Sequence, residues 1–188
     1  MDRAGRAFRT FALLASLAAL GACAKRASPT YEVWSETPAH DAVPSAATVL
    51  EVSGAVNGGE PAYFTLEQLR ALPKTEFSSA DPWVPGVTRY GGFSLYAFLS
   101  ALRLAEAARF AVLTASNDYT VTIDLAEIRD RRYAVTYEEN GEPYAAFPDD
   151  RNKGPLSVAV PHEELEGIDM EVLKLNYVWW LDSIRVSE

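Results

Sequence analysis

The chain has few of the side chains that most often carry acid/base, redox or metal chemistry. Its 188 residues include one cysteine, Cys23, and two histidines, His40 and His162. A single cysteine cannot form a disulfide within the chain. The histidines occur in no HExxH or other paired spacing, which argues against a zinc site. The sequence also lacks the G-x-S-x-G motif, which argues against a Ser-His-Asp hydrolase. The composition favours binding over catalysis and leaves enzymatic activity an open question.

The amino-terminal segment predicts export. Three arginines precede a short apolar run at residues 11–20, so we expect residues 1–22 to be a signal peptide. The run is too short to span a bilayer. It ends in LGAC, which resembles the lipobox of bacterial lipoproteins and implies that Cys23 is lipidated, leaving no thiol for the folded domain. We therefore expect a lipid anchor at the periplasmic face of a bacterial membrane, and Ala24 favours the outer membrane.

The charge of the exported chain bears on its partners. Without residues 1–22 the chain loses three arginines and one aspartate, so 14 of the 17 basic and 25 of the 26 acidic residues remain, a formal charge of −11. A surface this acidic argues against nucleic acid as a partner.

The length indicates one domain with appendages. Residues 23–47 are rich in Ala, Ser, Pro and Thr, and they predict a flexible tether that follows the lipidated cysteine. Residues 48–188 are then the folded domain. Tyr31, Val33 and Trp34 interrupt the tether, and they are either an apolar clip docked on the domain or a partner-binding motif.

Short alternating runs separated by turn signals predict many strands and few helices. Residues 48–65 predict a hairpin, and Thr65 with Gln68 forms a capping box at the start of a short helix. Residues 93–102 have apolar side chains at helical spacing after a Gly91-Gly92 turn, which predicts an amphipathic helix. Further strands are expected at 74–79, 110–114, 119–123, 133–137 and 154–161, with one strand or a pair of strands over 173–186 and a brief helix after Asp124. The expected fold class is α+β, with a mixed, barrel-like β-sheet core and a few short helices.

The irregular stretch at residues 77–86, FSSADPWVPG, is where we expect the function to lie. Its two prolines lack a backbone donor and restrict the residues before them, so the chain leaves regular structure here. The stretch offers Ser78, Ser79, Asp81 and Trp83 for binding. The alternative is an ordinary surface turn with one half-buried tryptophan.

The order and spacing of these pieces resemble the molybdopterin-binding domain of the sulfite oxidase family, over about residues 48–187. The matching pieces in this sequence are 66–69, 77–83, 92–99, 117–119, 140–143, 153–161 and 179–186. The resemblance implies the same fold and a pterin-type or molybdopterin-like ligand.

Two departures from the family pattern affect the expected chemistry. Ser78 and Ser79 stand where the family enzymes carry the cysteine that ligates molybdenum, and a neutral hydroxyl is a poor replacement for a soft thiolate. Ser157 stands where the enzymes often have an arginine for the cofactor phosphate, although Arg151 and Lys153 precede it. We therefore expect no molybdenum.

The resemblance is closest to stand-alone, exported members of this fold that lack the metal-binding cysteine. It implies a non-catalytic periplasmic pterin-binding protein that reports ligand occupancy to the periplasmic domain of a membrane signalling protein, commonly one that controls cyclic dinucleotide turnover. The alternatives are a molybdopterin-dependent oxidoreductase and a ligand-free interaction module on the same fold.

The candidate ligand-binding residues have the chemistry that a flat, hydrogen-bonding heterocycle requires, namely aromatic faces, amide or carboxylate groups, and cations for an anionic group. They are Ser78, Ser79, Asp81, Trp83, Arg89, Asn117, Asp118, Tyr119 and Lys153. Asn117 and Asp118 also suit a simple turn, Tyr119 a core position, and Arg89 an exposed ion pair. Alternation along the last strand predicts that Trp179 and Trp180 point to opposite sides.

Overall fold

A computed structural model describes residues 33–83, 85–149, 151–161 and 169–188. The predicted signal peptide, Cys23 and Tyr31 lie outside these residues. Eleven strands and four short α-helices are present in the described part of the chain. The strands are β1 (Thr48–Gly54), β2 (Ala62–Thr65), β3 (Thr75–Ala80), β4 (Val87–Ser94), β5 (Phe110–Ala115), β6 (Thr120–Asp124), β7 (Ala134–Glu139), β8 (Glu142–Pro143), β9 (Ser157–Ala159), β10 (Val178–Trp179) and β11 (Leu181–Ser187). The helices are α1 (Leu66–Arg70), α2 (Leu95–Ala101), α3 (Leu125–Asp130) and α4 (Met170–Lys174).

The strands form two sheets around one apolar core. One sheet has the order β2-β1-β11-β5-β6, and the other has the order β10-β9-β7-β4-β3 with β8 paired to β7. Strands β1 and β11 are parallel, and the other pairs are antiparallel. Buried side chains from both sheets and from α2 form a single cluster. Among the described residues no helix is long and apolar enough to cross a membrane.

Local sequence signals account for most of the element boundaries. The β1–β2 hairpin forms as predicted, and the Thr65 hydroxyl accepts the Gln68 N–H while the Gln68 side chain accepts the Thr65 N–H, which is the predicted capping box. Asp124 caps α3 by accepting the N–H of Ala126 at 2.6 Å. Because these caps satisfy N–H groups that a helix start leaves open, they fix where each short helix begins.

Three predicted boundaries are wrong. Gly91 and Gly92 form no turn but lie inside β4, and the amphipathic helix begins later, at Leu95, capped by Ser94. The strand or pair of strands predicted over 173–186 is a pair, β10 and β11, but it begins only at Val178, because residues 173 and 174 belong to α4. Glycine is common in turns, but here it lets two strands approach closely, since a Cβ at Gly92 would overlap the carbonyl oxygen of Val135.

The end of the predicted tether packs on the domain. The Trp34 ring lies 6.4 Å from Phe93 and 6.5 Å from Phe98, measured between ring centroids. Asp41 and Tyr63 exchange two backbone hydrogen bonds of 2.8 and 3.0 Å. These contacts favour the docked clip over the partner-binding motif for Trp34, while Val33 is 82% exposed.

The close approach of β4 to β7 gives a testable prediction. We expect Gly92→Ala to destabilise the protein by at least about 3 kcal/mol, because the added methyl group meets backbone that cannot move aside. Gly58→Ala is the control, since it adds the same methyl group where nothing lies within 4 Å. The control substitution should lower the free energy of unfolding by only about 1 kcal/mol, because Gly58 has a positive φ that alanine adopts unfavourably. Equal urea midpoints for the two variants would contradict this packing.

Candidate ligand-binding pocket

The predicted irregular stretch is regular up to Ala80, so Ser78 and Ser79 lie on β3 and not on a loop as predicted. The connection between β3 and β4 follows Ala80. Asp81 lies at its start, where one carboxylate oxygen accepts the Trp83 N–H at 2.8 Å. This contact is the short-range turn bond that aspartate commonly makes. It holds the Trp83 backbone while leaving the side chain 49% exposed. The strand ends here, as the sequence predicted, and the loop presents Trp83 to solvent.

A second aromatic segment approaches Trp83 where the chain passes from one sheet to the other. β10 belongs to the β9 sheet and β11 to the β5 sheet, with Trp180 between them. Trp180 has a φ of +56°. Its N–H donates to the backbone carbonyl of Lys153, and its own carbonyl accepts the Ser116 N–H. This conformation is unusual for a bulky residue and breaks the strand alternation. The prediction that Trp179 and Trp180 point to opposite sides is therefore wrong, because both line one pocket.

The pocket has a volume of about 410 Å³ and lies between three segments of the chain. Its described lining residues are Trp83, Asn117, Tyr119, Lys174, Leu175, Tyr177, Trp179 and Trp180. The Trp179 ring lies 5.2 Å from Trp83 and 5.9 Å from Trp180, with interplanar angles of 71° and 87°. These near-perpendicular arrangements are the favourable edge-to-face packing of aromatic rings. The pocket is thus a mostly aromatic cleft of the size that small ligands occupy.

The turn at residues 117–119 forms one wall of the pocket. The Asn117 side-chain oxygen accepts the Tyr119 N–H at 3.2 Å, and Asp118 has a φ of +67°. The Tyr119 hydroxyl donates to the Leu175 carbonyl at 2.6 Å. Partial burial raises the pKa of Tyr119, so its hydroxyl stays protonated and remains a donor at neutral pH. This bond ties the turn to the segment after α4 and gives the wall a defined position.

A buried ionic cluster lies behind Trp83 and Trp179. The Lys153 ammonium is 2.5 Å from an Asp81 oxygen and 2.6 Å from a Glu139 oxygen, and these three side chains are each at most 3% exposed. The Tyr90 hydroxyl donates to the same Asp81 oxygen at 2.9 Å. Lys153 also lies 5.5 Å from the centre of the Trp179 ring. The cluster therefore connects the Trp83 loop, β4, β7 and the segment before β9.

Burial keeps the tyrosines of this region protonated. Desolvation is the largest cause of the raised pKa of Tyr90, with a further contribution from the negative charge of Asp81. Desolvation likewise raises the pKa of Tyr177. Both hydroxyls therefore act as hydrogen-bond donors to neighbouring oxygens over the physiological pH range.

The two serines of the loop stretch have different environments. Ser79 is fully buried, and its hydroxyl lies 3.0 Å from the Tyr177 hydroxyl and 3.3 Å from the Ala80 carbonyl. Ser78 is exposed on β3 and is paired in register with Arg89 on β4. Neither serine lines the pocket.

The described residues do not fit a metal centre of the kind that the family enzymes hold. Among the described residues, no group of three or more His, Cys, Asp or Glu side chains is placed to hold a metal ion. Of the two serines predicted at the family's metal-ligand position, Ser78 is exposed on β3, and the Ser79 hydroxyl already has two hydrogen-bond partners within the fold. A buried, paired hydroxyl is not a donor that a soft, thiolate-preferring site can use.

The candidate residues from the sequence thus divide into four groups. Trp83, Asn117 and Tyr119 meet at the pocket with Asp118 in the same turn, whereas Asp81 and Lys153 meet in the ionic cluster. Arg89 and Ser78 lie on the exposed face of the β3–β4 hairpin. Ser79 is buried alone against Tyr177.

Several residues of this region were not among the candidates. Tyr177, Lys174 and Leu175 line the pocket, and Glu139 completes the cluster. Glu139 lies directly opposite Tyr90 in the β4–β7 register. Because this pairing is non-local, no motif around Glu139 indicated it. The adjacent tryptophans Trp179 and Trp180 could have indicated that the final segment lines a pocket, but strand alternation predicted opposite orientations for them.

Comparison with known proteins gives a likeness at the level of fold. No family model matches the chain, and no curated protein matches it. Two sheets with a few short helices define an α+β fold of the predicted sulfite oxidase type, and a solved structure supports this class. The chain is similar to the sulfane dehydrogenase SoxCD from Paracoccus pantotrophus, with a TM-score of 0.57 and 14% identity. The match covers 77% of this chain and 40% of that chain.

The ionic cluster gives the second prediction. We expect Lys153→Met to reduce the free energy of unfolding by about 3–5 kcal/mol, because it leaves two buried carboxylates without their shared cation. Lys74→Met is a matched control, since Lys74 also joins two carboxylates, those of Glu76 and Glu138, but is 42% exposed. Lys74→Met should reduce the free energy of unfolding by less than about 1 kcal/mol. Urea denaturation measures both, and equal losses would contradict the structural role of the cluster.

Proposed function

We propose that the chain is a non-catalytic, lipid-anchored periplasmic protein that binds a pterin-type ligand in the aromatic pocket. The observation that carries the proposal is the arrangement of Trp83, Trp179 and Trp180 around a cleft of about 410 Å³, with an amide and a lysine at its wall. A pterin is flat and rich in hydrogen-bonding groups, so it needs aromatic surface for stacking and a few polar groups for orientation.

The polar groups of the pocket suit such a ligand. The oxygen of the Asn117 amide is engaged with the Tyr119 N–H. Its amide nitrogen can donate two hydrogen bonds. These donors match the acceptor atoms of a pterin ring, while the tryptophans supply the apolar surface. These groups support the proposal of a planar heterocyclic ligand.

Two features support a binding role over a catalytic one. Of the two serines that the resemblance places at the metal-ligand position, Ser79 is buried and hydrogen-bonded within the fold. The candidate cation Lys153 is enclosed between two carboxylates and lies below the pocket surface. The similar SoxCD structure is a dehydrogenase by name, but this chain spans about 40% of its length and shares 14% identity, so its activity is not carried over.

The ligand proposal is tested by Trp83→Ala. We expect this variant of the full chain, purified in detergent, to bind a reduced pterin such as 6-hydroxymethyl-7,8-dihydropterin about five- to hundredfold more weakly, because stacking on an aromatic ring contributes about 1–3 kcal/mol. Titration calorimetry measures the dissociation constants.

Phe110→Ala is the control for this experiment. Phe110 is also a partly exposed aromatic residue, at 39%, but it does not line the pocket. The Phe110→Ala variant should bind the pterin with the same affinity as the unaltered chain. Absence of binding by the unaltered chain, together with no pterin in protein purified from its native envelope, would contradict the proposal. Molybdenum in that preparation would support the oxidoreductase alternative instead.

We further propose that ligand occupancy is relayed to the periplasmic domain of a membrane signalling protein. Trp83 and Leu175 are 49% and 58% exposed at the edge of the same pocket. A ligand that contacts them alters a surface that a neighbouring protein can contact. A lipid on Cys23 would keep the domain at the membrane, where such a partner is located.

The relay is tested in cells. We expect deletion of the gene to change the cyclic dinucleotide level, and we expect Trp83→Ala to shift the level in the same direction because the variant binds the ligand more weakly. Cys23→Ser should reproduce it in part and should move the protein from the membrane fraction to the soluble fraction. Phe110→Ala should leave the level unchanged. A deletion with no effect on cyclic dinucleotides would refute this relay without affecting the binding proposal.

A further inference from the structure

The charges around the pocket differ from those of the chain as a whole. The full chain has a formal charge of −9. Among the described residues that line the pocket, Lys174 is the only charged side chain, and none is acidic. In the chain as a whole carboxylates outnumber cations, whereas the described residues that line the pocket include one cation and no carboxylate. This difference favours a negatively charged ligand.

The position of Lys174 is fixed relative to the rest of the pocket. It is the last residue of α4, and the next residue, Leu175, accepts the hydrogen bond from Tyr119 at 2.6 Å. The Lys174 carbonyl accepts the Tyr177 N–H at 3.4 Å. Both tyrosines line the same pocket. The backbone of Lys174 is thus held between two aromatic walls, while its long side chain can still change rotamer.

Lys174 has a partner that a ligand can displace. Its ammonium lies 2.6 Å from the Glu171 carboxylate, in a pair whose side chains are 32% and 78% exposed. Exposed ion pairs contribute about 0–1 kcal/mol, so a better-placed anion can compete with Glu171. Lys153 differs in this respect, because it is 2% exposed and bonded to two buried carboxylates. Lys174 is therefore the lysine available to an anion in the pocket.

We propose that the ligand is an anionic pterin, with a carboxylate or phosphate group on its side arm, and that Lys174 pairs with that group. The inference rests on the pterin-binding function proposed above. The stacked ring lies against the tryptophans and the side arm extends towards the end of α4. A lysine in the last turn of a helix also interacts favourably with the helix dipole. That role alone predicts no effect of Lys174 on the choice of ligand.

The test compares an anionic probe with a neutral one on the full chain in detergent. The probes are pterin-6-carboxylate, 6-hydroxymethylpterin and its phosphate ester. Hydrogen bonds to charged groups contribute about 1.5–3 kcal/mol, so both anions should bind at least about tenfold more tightly than the neutral pterin. This preference for the anions should shrink when the salt concentration is raised from about 0.05 to about 0.5 M, because the Debye screening length then falls from about 14 to about 4 Å.

Three variants separate the proposed role from a structural one. Lys174→Gln should abolish the preference for the anionic probes and leave the affinity for 6-hydroxymethylpterin unchanged. Lys174→Arg should keep the preference, and Lys74→Gln, at an exposed lysine with two carboxylate partners, should have no effect. Equal affinities of the unaltered chain for neutral and anionic pterins, or equal weakening of all probes by Lys174→Gln, would overturn the inference. Failure of every probe to bind would instead contradict the proposed pterin-binding function.

Discussion

The buried pairing of Lys153 with Asp81 and Glu139 is the constraint on which the site depends. Taking three ionised groups out of water is costly, and the cost is offset only when each group is paired and hydrogen-bonded. Asp81 meets this requirement with both oxygens, since one accepts the Trp83 N–H and the other contacts Lys153 and Tyr90. The interaction that satisfies the buried lysine therefore also fixes the loop that carries the pocket's most exposed tryptophan.

The pocket also depends on where the chain changes sheets. Trp180 leaves β10 with a positive φ, and its backbone bonds to Lys153 on one side and Ser116 on the other. Those contacts bring the final segment beside the turn that carries Tyr119. The cleft lies beside the point where the chain passes from one sheet to the other, and aromatic side chains from three separate segments border it.

The parts of the fold that sequence reasoning predicted are those with local causes. Thr65 with Gln68 and Asp124 are caps whose hydrogen bonds span two or three residues, and the Asp81 turn before Trp83 is equally local. The ionic cluster was not predicted, because Asp81 and Glu139 reach Lys153 only after β4 and β7 pair. Lys153 was assigned to ligand binding from its sequence alone, and burial gives it structural partners instead.

Ser79 contributes to the aromatic pocket although it does not line it. Its side chain is neutral, fully buried and hydrogen-bonded to Tyr177. Tyr177 in turn contacts the edge of Trp83, with ring centroids 6.1 Å apart. The hydroxyl of Ser79 therefore holds a tyrosine that lies in the aromatic wall, and through it stabilises the surface proposed to bind the heterocycle.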